Sequence, residues 1–528
     1  MEKSKYDVVV AGAGIAGLVA AAKLSRAGQK VLLLEKNRVV GGYAGSFTRK
    51  GFFFEAAIHA LNGLEDPGSP FHRIFEDLDL LQRLPPIRLP EFYSIKLGDQ
   101  LVALPSDHRE AEAMLRSRYP AEAKAVTRFF AELIGLNEEL TRFPRKRWKI
   151  LASLPLLPFR YRRVLKYFRM NLGTFMDALT DNEELKILLT ANAGYYHDNP
   201  DDYSLLHFSA AQGSYLSGGA SFLTGGSGAL AEHLGEDVRA RGGTVLTSCE
   251  VTRIDARGGR ISEVHWRSRG GEICSAATNE VIANLPFPVL LGVLPASLAR
   301  RLGKPYRAHK PSISVSSVYY GLKKPLRELG SRGYTTFFLP EEMRRFDQMS
   351  AGNNTDDPAQ RILCLVDYSS IPGIFGPKER GPVAVVVVVD RAARWCGLSK
   401  DEYAAQKVRM VEGMTAAMER QIPGFTENCV HVEGATPLTM ERYTGNPDGV
   451  IYGFAPTVGQ VGPGRPQVIT KIRGLTIASA WGPMGGGITA AARTGDLAAR
   501  AVLKRAGKRR GMASKNPSSL AAAAFVLG

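Results

Sequence analysis

The sequence predicts an α/β fold in which a domain with a parallel sheet is interleaved with a second, mixed α+β domain. Three observations support this prediction. The chain opens with a strand, a glycine-rich turn and a helix; a turn, a helix and two strands follow from about residue 222, and a second strand–turn–helix pattern begins near residue 470. The chain also has 528 residues, well above the roughly 250 to 300 residues at which one hydrophobic core stops growing.

The opening pattern is a βαβ unit. Asp7–Ala11 and Lys30–Glu35 are apolar runs of strand length, and Ile15–Ala27 has the length and spacing of a helix. Gly28 follows that helix as a natural C-cap. A parallel strand pair joined by a helix predicts a Rossmann-like unit.

The turn of this unit reads Gly12-x-Gly14-x-x-Gly17, the dinucleotide-binding fingerprint. Gly12 permits the tight turn, Gly14 lets the backbone approach a pyrophosphate, and Gly17 allows close helix packing. The amides near Ile15 and Ala16 then direct the positive end of the helix toward that pyrophosphate. The fingerprint predicts a dinucleotide but does not separate NAD from FAD.

The residues after the second strand favour FAD. Glu35 can accept hydrogen bonds from an adenosine ribose, and Gly41 and Gly42 provide bare backbone through which a second loop can approach a long cofactor. In the spacing of Glu35, Gly41-Gly42 and Ser46 the chain resembles the flavin amine oxidase and phytoene desaturase superfamily. The resemblance implies FAD as the cofactor, a glutathione-reductase-type FAD-binding domain and Ser46 as a cofactor contact.

Within that superfamily the stretch "GGYAGSFTRKGFFFEAAIHALNG" resembles the carotenoid isomerase and retinol saturase branch, whereas amine oxidases usually carry Arg where this chain has Tyr43. The segment Arg442–Pro456 is similar to the late signature of the same branch. The resemblance further implies that the backbone of Val251 reads the adenine. It also implies that Gly487 and Ile488, at the start of the last helix, face the pyrimidine edge of the flavin.

The predicted function is that of an FAD-dependent oxidoreductase acting on carbon–carbon bonds of a carotenoid, a retinoid or another polyene or isoprenoid lipid. Desaturation, saturation and cis–trans isomerisation by hydride exchange with flavin N5 all stay open. No second glycine fingerprint follows a strand, so electrons must come from the substrate or an external partner such as a quinone, oxygen or a reductase. The alternatives are a flavin amine oxidase and a non-enzymatic prenyl-lipid-binding protein on the same fold.

His59 is the candidate catalytic residue. A histidine with an ordinary pKa near ~6.5 could supply the proton that accompanies hydride transfer at a neighbouring carbon. The alternative is a structural histidine packed under the cofactor.

The net charge of +17 is concentrated in residues 142–169, which hold ten Lys or Arg residues and no Asp or Glu. These charges flank the apolar run "ILASLPLLPF", with Trp148 and Tyr161 at its edges. This composition predicts contact with an anionic membrane surface; the alternative is a solvated basic helix pair that packs the apolar run into the core. No nucleic-acid-binding motif accompanies the charge, so no nucleic-acid partner is predicted.

The predicted FAD-binding domain combines residues 1–65, 222–285 and 470–505. Residues 66–221 and 286–469 form the predicted substrate domain, with a helical, membrane-associating insertion near 142–169, and 506–528 a flexible tail. Five scattered cysteines without a CxxC pair favour a reducing, cytoplasmic setting and predict no metal site. No apolar run reaches the roughly 18 residues of a spanning helix, so the predicted location is peripheral on the membrane.

Overall fold

The structure is a computed structural model that describes residues 5–56, 59–144 and 154–513. Its strands are β1 Val8–Ala11, β2 Val31–Leu34, β3 Ser46–Arg49, β4 Phe52–Glu55, β5 Leu61–Asn62, β6 Pro86–Arg88, β7 Glu91–Leu97, β8 Gln100–Pro105, β9 Ala220–Leu223, β10 Thr244–Leu246, β11 Glu250–Arg257, β12 Arg260–Arg267, β13 Ile273–Ala277, β14 Val281–Ala283, β15 Ser314–Leu322, β16 Thr335–Phe338, β17 Leu363–Asp367, β18 Val383–Asp390, β19 Cys429–Ala435 and β20 Leu475–Ile477.

The α-helices of the described residues are α1 Ile15–Arg26, α2 Pro70–Asp77, α3 Leu80–Arg83, α4 His108–Arg118, α5 Ala123–Arg142, α6 Leu157–Arg160, α7 Arg162–Tyr167, α8 Leu172–Asp177, α9 Glu183–Thr190, α10 Leu205–Gly218, α11 Gly226–Ala240, α12 Phe287–Val293, α13 Ala296–Gly303, α14 Met349–Gly352, α15 Lys400–Gln421, α16 Phe425–Asn428, α17 Pro437–Thr444 and α18 Ile488–Ala513. None of these helices is both long and apolar enough to cross a bilayer.

A five-stranded parallel sheet lies at the centre of the first half of the fold. Its strand order is β10-β2-β1-β14-β20, and its strands come from the start, the middle and the end of the chain. Alternate residues of β1 pack on opposite faces: Val8 and Val10 join a core with α1, α11 and α18, whereas Val9 and Ala11 join a core with β11, β12 and α12. Both faces are therefore covered, as a parallel sheet requires.

The second half of the fold is built on a seven-stranded sheet with the order β19-β15-β18-β17-β16-β7-β8. The runs "SISVSSVYYGL", "RILCLVDYSS" and "PVAVVVVVD" supply β15, β17 and β18, which confirms the strands that the sequence predicts there. β18 lies between β15 and β17 and is almost wholly buried, because a continuous apolar strand can be covered on both faces.

Two features of the fold go beyond the sequence-based expectations. Within the predicted substrate-domain segment 66–221, β7 and β8 form a hairpin that joins the seven-stranded sheet. Its turn at Gly98 has a φ of +58°, the left-handed conformation that glycine favours. The predicted tail is also shorter than expected, since α18 continues to Ala513, through an Ala-, Lys- and Arg-rich stretch of high helix propensity.

Other sequence-based expectations stay predictions. The division into two discontinuous domains is one of them, although the parallel sheet does draw its strands from the three predicted segments. Part of the basic segment, residues 145–153 with Trp148, lies outside the described residues, as do residues 514–528. The described part of the basic segment holds the end of α5 and the short helices α6 and α7.

Candidate cofactor and substrate site

A single continuous cavity of about 1580 Å³ lies between the carboxyl ends of the parallel strands and the seven-stranded sheet. Its lining comes from the β1–α1 turn, the start of α18, helix α10 and strands β15 to β18. Pockets for one drug-sized ligand are usually about 300 to 1,000 Å³. This cavity therefore has room for a dinucleotide and a second molecule.

The glycine turn at one end of the cavity is a cradle that side chains would fill. Gly12 has a φ of +97°, and a Cβ there would lie 2.5 Å from the carbonyl oxygen of Asn284. A Cβ on Gly17 would lie 2.2 Å from the carbonyl oxygen of Gly12. Asn284 closes the turn, because its side-chain amide donates to that same Gly12 carbonyl at 3.2 Å. The tight turn at Gly12 and the close packing at Gly17 agree with the predicted cradle, and the contact of these glycines with a pyrophosphate stays a prediction.

Helix α1 presents its N-terminus to the cavity. Its N-cap is Gly14, which has no side chain that could cap the first turn, and that turn contains no acidic residue. Ile15 and Ala16 line the cavity, and the first amides of a helix have no partner within it. The arrangement suits a pyrophosphate, which would accept from these N–H groups.

Glu35 lies at the end of β2 and is 5% exposed. Its two carboxylate oxygens accept from the backbone N–H of Ala13 at 2.8 Å and of Asn37 at 2.9 Å. Burial raises the pKa of Glu35, and the two backbone hydrogen bonds act against that rise. The side-chain amide of Asn37 also donates to Oε1, at 3.0 Å, whereas Oε2 keeps capacity for another donor and is placed to accept from a ribose hydroxyl.

Gly41 and Gly42 lie against the first glycine turn. Gly41 forms a β-bridge with Gly14, and a Cβ on Gly42 would lie 3.4 Å from the Cα of Gly14. Tyr43, which follows them, donates its hydroxyl hydrogen to the carbonyls of Gly449 and Val450, each at 3.1 Å. Tyr43, which stands where amine oxidases usually carry Arg, therefore links the glycine pair to the segment Arg442–Pro456 by a hydrogen bond that spans 406 residues of the chain.

Ser46 does not line the cavity, and its predicted cofactor contact stays a prediction. Its hydroxyl donates to Glu55 Oε2 at 3.2 Å and accepts from the backbone N–H of Gly228 at 3.1 Å. Glu55 in turn accepts from the N–H and the hydroxyl of Ser227. Both residues therefore bind the first turn of α11, where a carboxylate complements the helix N-terminus.

The remaining predicted cofactor residues lie at the start of α18 and on β11. Gly487 has a φ of +91°, and no heavy atom lies within 4 Å of the Cβ position there. Gly487, Ile488 and Val251 all line the cavity. The two helix N-termini, of α1 and α18, thus open onto one cavity, and Gly495 brings the helices together because its Cβ position is 2.3 Å from the carbonyl oxygen of Ala16.

His59 also lines the cavity. Its ring lies 5.1 Å from the ring of Tyr195, and its carbonyl oxygen accepts from the hydroxyl of Tyr334 at 2.8 Å. Burial lowers the pKa of His59 to about 4, so the expected pKa near ~6.5 is wrong for the folded protein. At neutral pH the imidazole is uncharged, so one ring nitrogen can donate a hydrogen bond and the other can accept one.

The low pKa of His59 gives a testable pH dependence of stability. As the pH falls from about 6.5 to about 4, the unfolded chain binds the proton first, so the contribution of His59 to stability is lost across this window and is constant above it. We expect this loss to be on the order of 1 to 2 kcal/mol, because the ring faces a cavity and does not feel the full desolvation. His59→Gln is expected to abolish it.

Urea unfolding of both proteins at pH 7.5 and pH 5 measures this difference. Equal losses of unfolding free energy in the wild type and in His59→Gln would contradict the assignment.

The other end of the cavity is rich in aromatic side chains that the sequence analysis did not select. Helix α10 lines it with His207, Ala210 and Tyr215, and the short 3₁₀ helix 191–195 adds Tyr195. The hydroxyl of Tyr195 lies 3.3 Å from the Sγ of Cys364 on β17. These tyrosines occur in ordinary helical and loop patterns, which carry no local signal of a site. Asn284, in contrast, directly follows strand β14.

The fold and this site define an FAD-dependent oxidoreductase. The sequence matches the flavin containing amine oxidoreductase family over residues 15–503, and the chain belongs to that family.

The curated relatives include enzymes named for retinoid and carotenoid reactions. An all-trans-retinol 13,14-reductase of Danio rerio is 25% identical over 85% of this chain and 77% of its own length. A prolycopene isomerase 2 of an Oncidium hybrid cultivar is 26% identical over 95% of this chain and 84% of its own length. Among solved structures, a putrescine oxidase variant superposes with a TM-score of 0.64 at 17% identity and covers 95% of this chain and 99% of its own, which shows the shared fold.

Proposed function

We propose that the protein is an FAD-dependent oxidoreductase that acts on the carbon–carbon bonds of a polyene or isoprenoid lipid. The observation that carries this proposal is the lining of the cavity. Its only carboxylates among the described residues are Glu35 and Glu250, both on the side of β2 and β11. The far end is lined by aromatic and aliphatic side chains such as Tyr195, Phe337 and Ile362. An apolar polyene needs no counter-charge there.

We assign the FAD to the glycine end of the cavity. The N–H groups of Ile15 and Ala16 would hold the pyrophosphate, Glu35 the ribose and Val251 the adenine. The amides at Gly487 and Ile488 would contact the flavin ring. Bound FAD supplies the two-electron acceptor or donor. The chain's residues bind and orient both molecules and exclude water from the contact between them.

The role of His59 in proton transfer stays a proposal. A neutral imidazole beside Tyr195 can relay a proton by donating at one nitrogen and accepting at the other. Turnover of FAD-loaded His59→Gln tests this role: a rate equal to that of the wild type would leave His59 with a structural role only.

The experiment for the proposed function uses protein purified gently with detergent. Its visible spectrum and acid-released chromophore are expected to show FAD. All-trans-retinol and prolycopene are then incubated with the oxidised and the reduced protein without oxygen, since the relatives are named for these compounds. A product two hydrogens lighter indicates desaturation, one two hydrogens heavier saturation, and one of equal mass isomerisation.

Lack of FAD after attempted reconstitution would overturn the proposal and favour a lipid-binding protein. Peroxide release from amines, with no polyene product, would favour the amine oxidase. Net desaturation or saturation further requires an external quinone, oxygen or reductase, because no second dinucleotide fingerprint is present in the sequence.

We further propose that the segment 154–169, here called the basic apolar segment, docks on an anionic membrane surface from the reducing, cytoplasmic side. It exposes Phe159 by 82% and Phe168 by 55%, and it carries five Lys or Arg residues and no acidic residue. Exposed aromatic and basic side chains together match an anionic lipid interface. Because Leu165 and Phe168 also line the cavity, the docked segment would adjoin a route for lipid substrates.

Vesicle binding tests this docking. Phe159→Asp/Phe168→Asp is expected to weaken binding to vesicles of phosphatidylglycerol and phosphatidylcholine at least tenfold, because two apolar anchors are lost and two negative charges are added. Ile273→Asp is the control. Ile273 is 63% exposed on β13 of the three-stranded sheet β11-β12-β13, outside the basic apolar segment. Equal binding by the wild type and the double variant, or equal weakening in the control, would refute the docking surface.

A further inference from the structure

Arg465 is a buried cation that has no acidic partner within residues 5–56, 59–144 and 154–513. Its side chain is 1% exposed. The guanidinium donates to the backbone carbonyls of Gln460 at 2.7 Å, Ala480 at 3.4 Å and Phe454. None of the carboxylates in the described residues forms an ion pair with it. Since buried charges are normally paired, this positive charge needs an explanation.

The position of this guanidinium suggests one. A Cβ on Gly485 would lie 2.9 Å from Nη1 of Arg465 and 3.3 Å from Nε2 of His207. Gly485 belongs to the turn whose next residues, Gly486 and Gly487, line the cavity directly before α18. The fixed charge of Arg465 and the positive end of a long helix therefore lie behind the same part of the cavity wall.

The neighbouring titratable groups leave this charge undiminished. His207 lines the cavity, and its Nδ1 lies 3.0 Å from the hydroxyl of Tyr203. Burial, and next to it the charge of Arg465, lower the pKa of His207 to about 3. Burial also lowers the pKa of Arg465, to about 10, and raises that of Tyr203 well above its usual range. At neutral pH the cluster thus carries one positive charge and no negative charge.

We propose that Arg465 is a positioning residue whose charge stabilises the anionic, reduced form of the flavin ring and so raises the reduction potential of the bound FAD. The inference rests on the proposed placement of the flavin at the start of α18. Two-electron reduction of FAD with uptake of one proton leaves the ring with one additional negative charge. The electrons come from the C–H bonds of the substrate in desaturation and from an external reductant in saturation. A positive charge behind the ring favours the product of this step over its oxidised form.

The test is the reduction potential of the substrate-free holoenzyme, measured by equilibration with a reference dye. Arg465→Gln removes the charge and is expected to shift the ratio of reduced to oxidised FAD at least tenfold toward the oxidised form, about 30 mV for a two-electron couple. Arg465→Lys keeps the charge and is expected to shift it by less than threefold. Because no substrate is present, a shift in the potential reports the effect of Arg465 on the flavin and not an effect on a charged group of a substrate.

A purely structural role would give a different pattern. If the Gln and Lys variants shift the potential equally, or if neither shifts it, the inference is overturned. If the Gln variant fails to hold FAD, the wild type still decides the matter, because the inference expects reduction at pH 6 to take up one proton per two electrons and is overturned by two. Absence of FAD from the wild type would refute the proposed function, whereas an FAD-loaded wild type with unresponsive variants refutes Arg465 alone.

Discussion

Gly17→Ala is expected to retain less than a tenth of the FAD that the wild type holds after purification. The added Cβ would lie 2.2 Å from the carbonyl oxygen of Gly12 and 2.9 Å from Nδ2 of Asn284. The first contact is with backbone inside a tight turn, so α1 must move away from β1. Overpacking of this kind costs about 1 to 3 kcal/mol, and it also displaces the amides of Ile15 and Ala16 that we assign to the pyrophosphate.

Gly28→Ala provides the control for this prediction. Gly28 belongs to the same βαβ unit, where it follows α1 with a φ of +71°, but no heavy atom lies within 4 Å of its Cβ position. The control carries the cost of a left-handed alanine, about 1 kcal/mol, without a steric clash, and its FAD content is expected to be close to that of the wild type. FAD content is measured from the absorbance of acid-released flavin per mole of protein. Full FAD content in Gly17→Ala would refute the proposed pyrophosphate site.

Ala210→Trp is expected to weaken all-trans-retinol binding at least tenfold, about 1.4 kcal/mol or more, while FAD content stays unchanged. Ala210 lies on α10, lines the cavity and is accessible, so a larger side chain there projects into space that the cavity now provides. An indole would occupy part of the volume that an elongated polyene needs. The glycine cradle is built by other elements, the β1–α1 turn and α18, and is left intact.

Ser217→Trp is the matched control, because Ser217 is exposed on the same helix but does not line the cavity. Retinol fluorescence measures binding, and the flavin spectrum reports the FAD content of each variant. Wild-type retinol binding by Ala210→Trp would place the lipid elsewhere and refute the cavity as the substrate site. Loss of FAD from Ala210→Trp would contradict the proposed separation of the two ends.

Much of the cofactor half of the site could be predicted from the sequence, because its requirements are local. Gly12 and Gly41 adopt φ values of +97° and +122°, which glycine reaches at low cost and most residues do not. The strand before the turn and the helix after it show their own periodicities in the sequence. Residue type, spacing and conformation therefore agree over about 40 residues without information from the rest of the chain.

The sequence was a poorer guide where a residue's role depends on distant partners. Ser46 has the spacing of a cofactor contact, yet its hydroxyl is held by Glu55 and by Gly228, which lies 182 residues away. The hairpin β7–β8 is short and lies between strong helix signals, and its place is decided by pairing with β16, from a remote part of the chain. His59 was identified as a candidate, but its pKa of about 4 depends on the walls that bury it.

By itself, then, the sequence determined the class of the protein: a βαβ unit, a glycine cradle for FAD and the interleaved arrangement of two kinds of sheet. Only the tertiary structure decided what surrounds the proposed cofactor cavity, namely the hydrogen bond from Tyr43 to Gly449, the cavity wall of α10 and the buried charge of Arg465 behind Gly485. The physical reason is that backbone conformation and periodicity are set by neighbouring residues. Desolvation, electrostatic fields and cavity shape, in contrast, are sums over atoms that the chain brings together from all along its length.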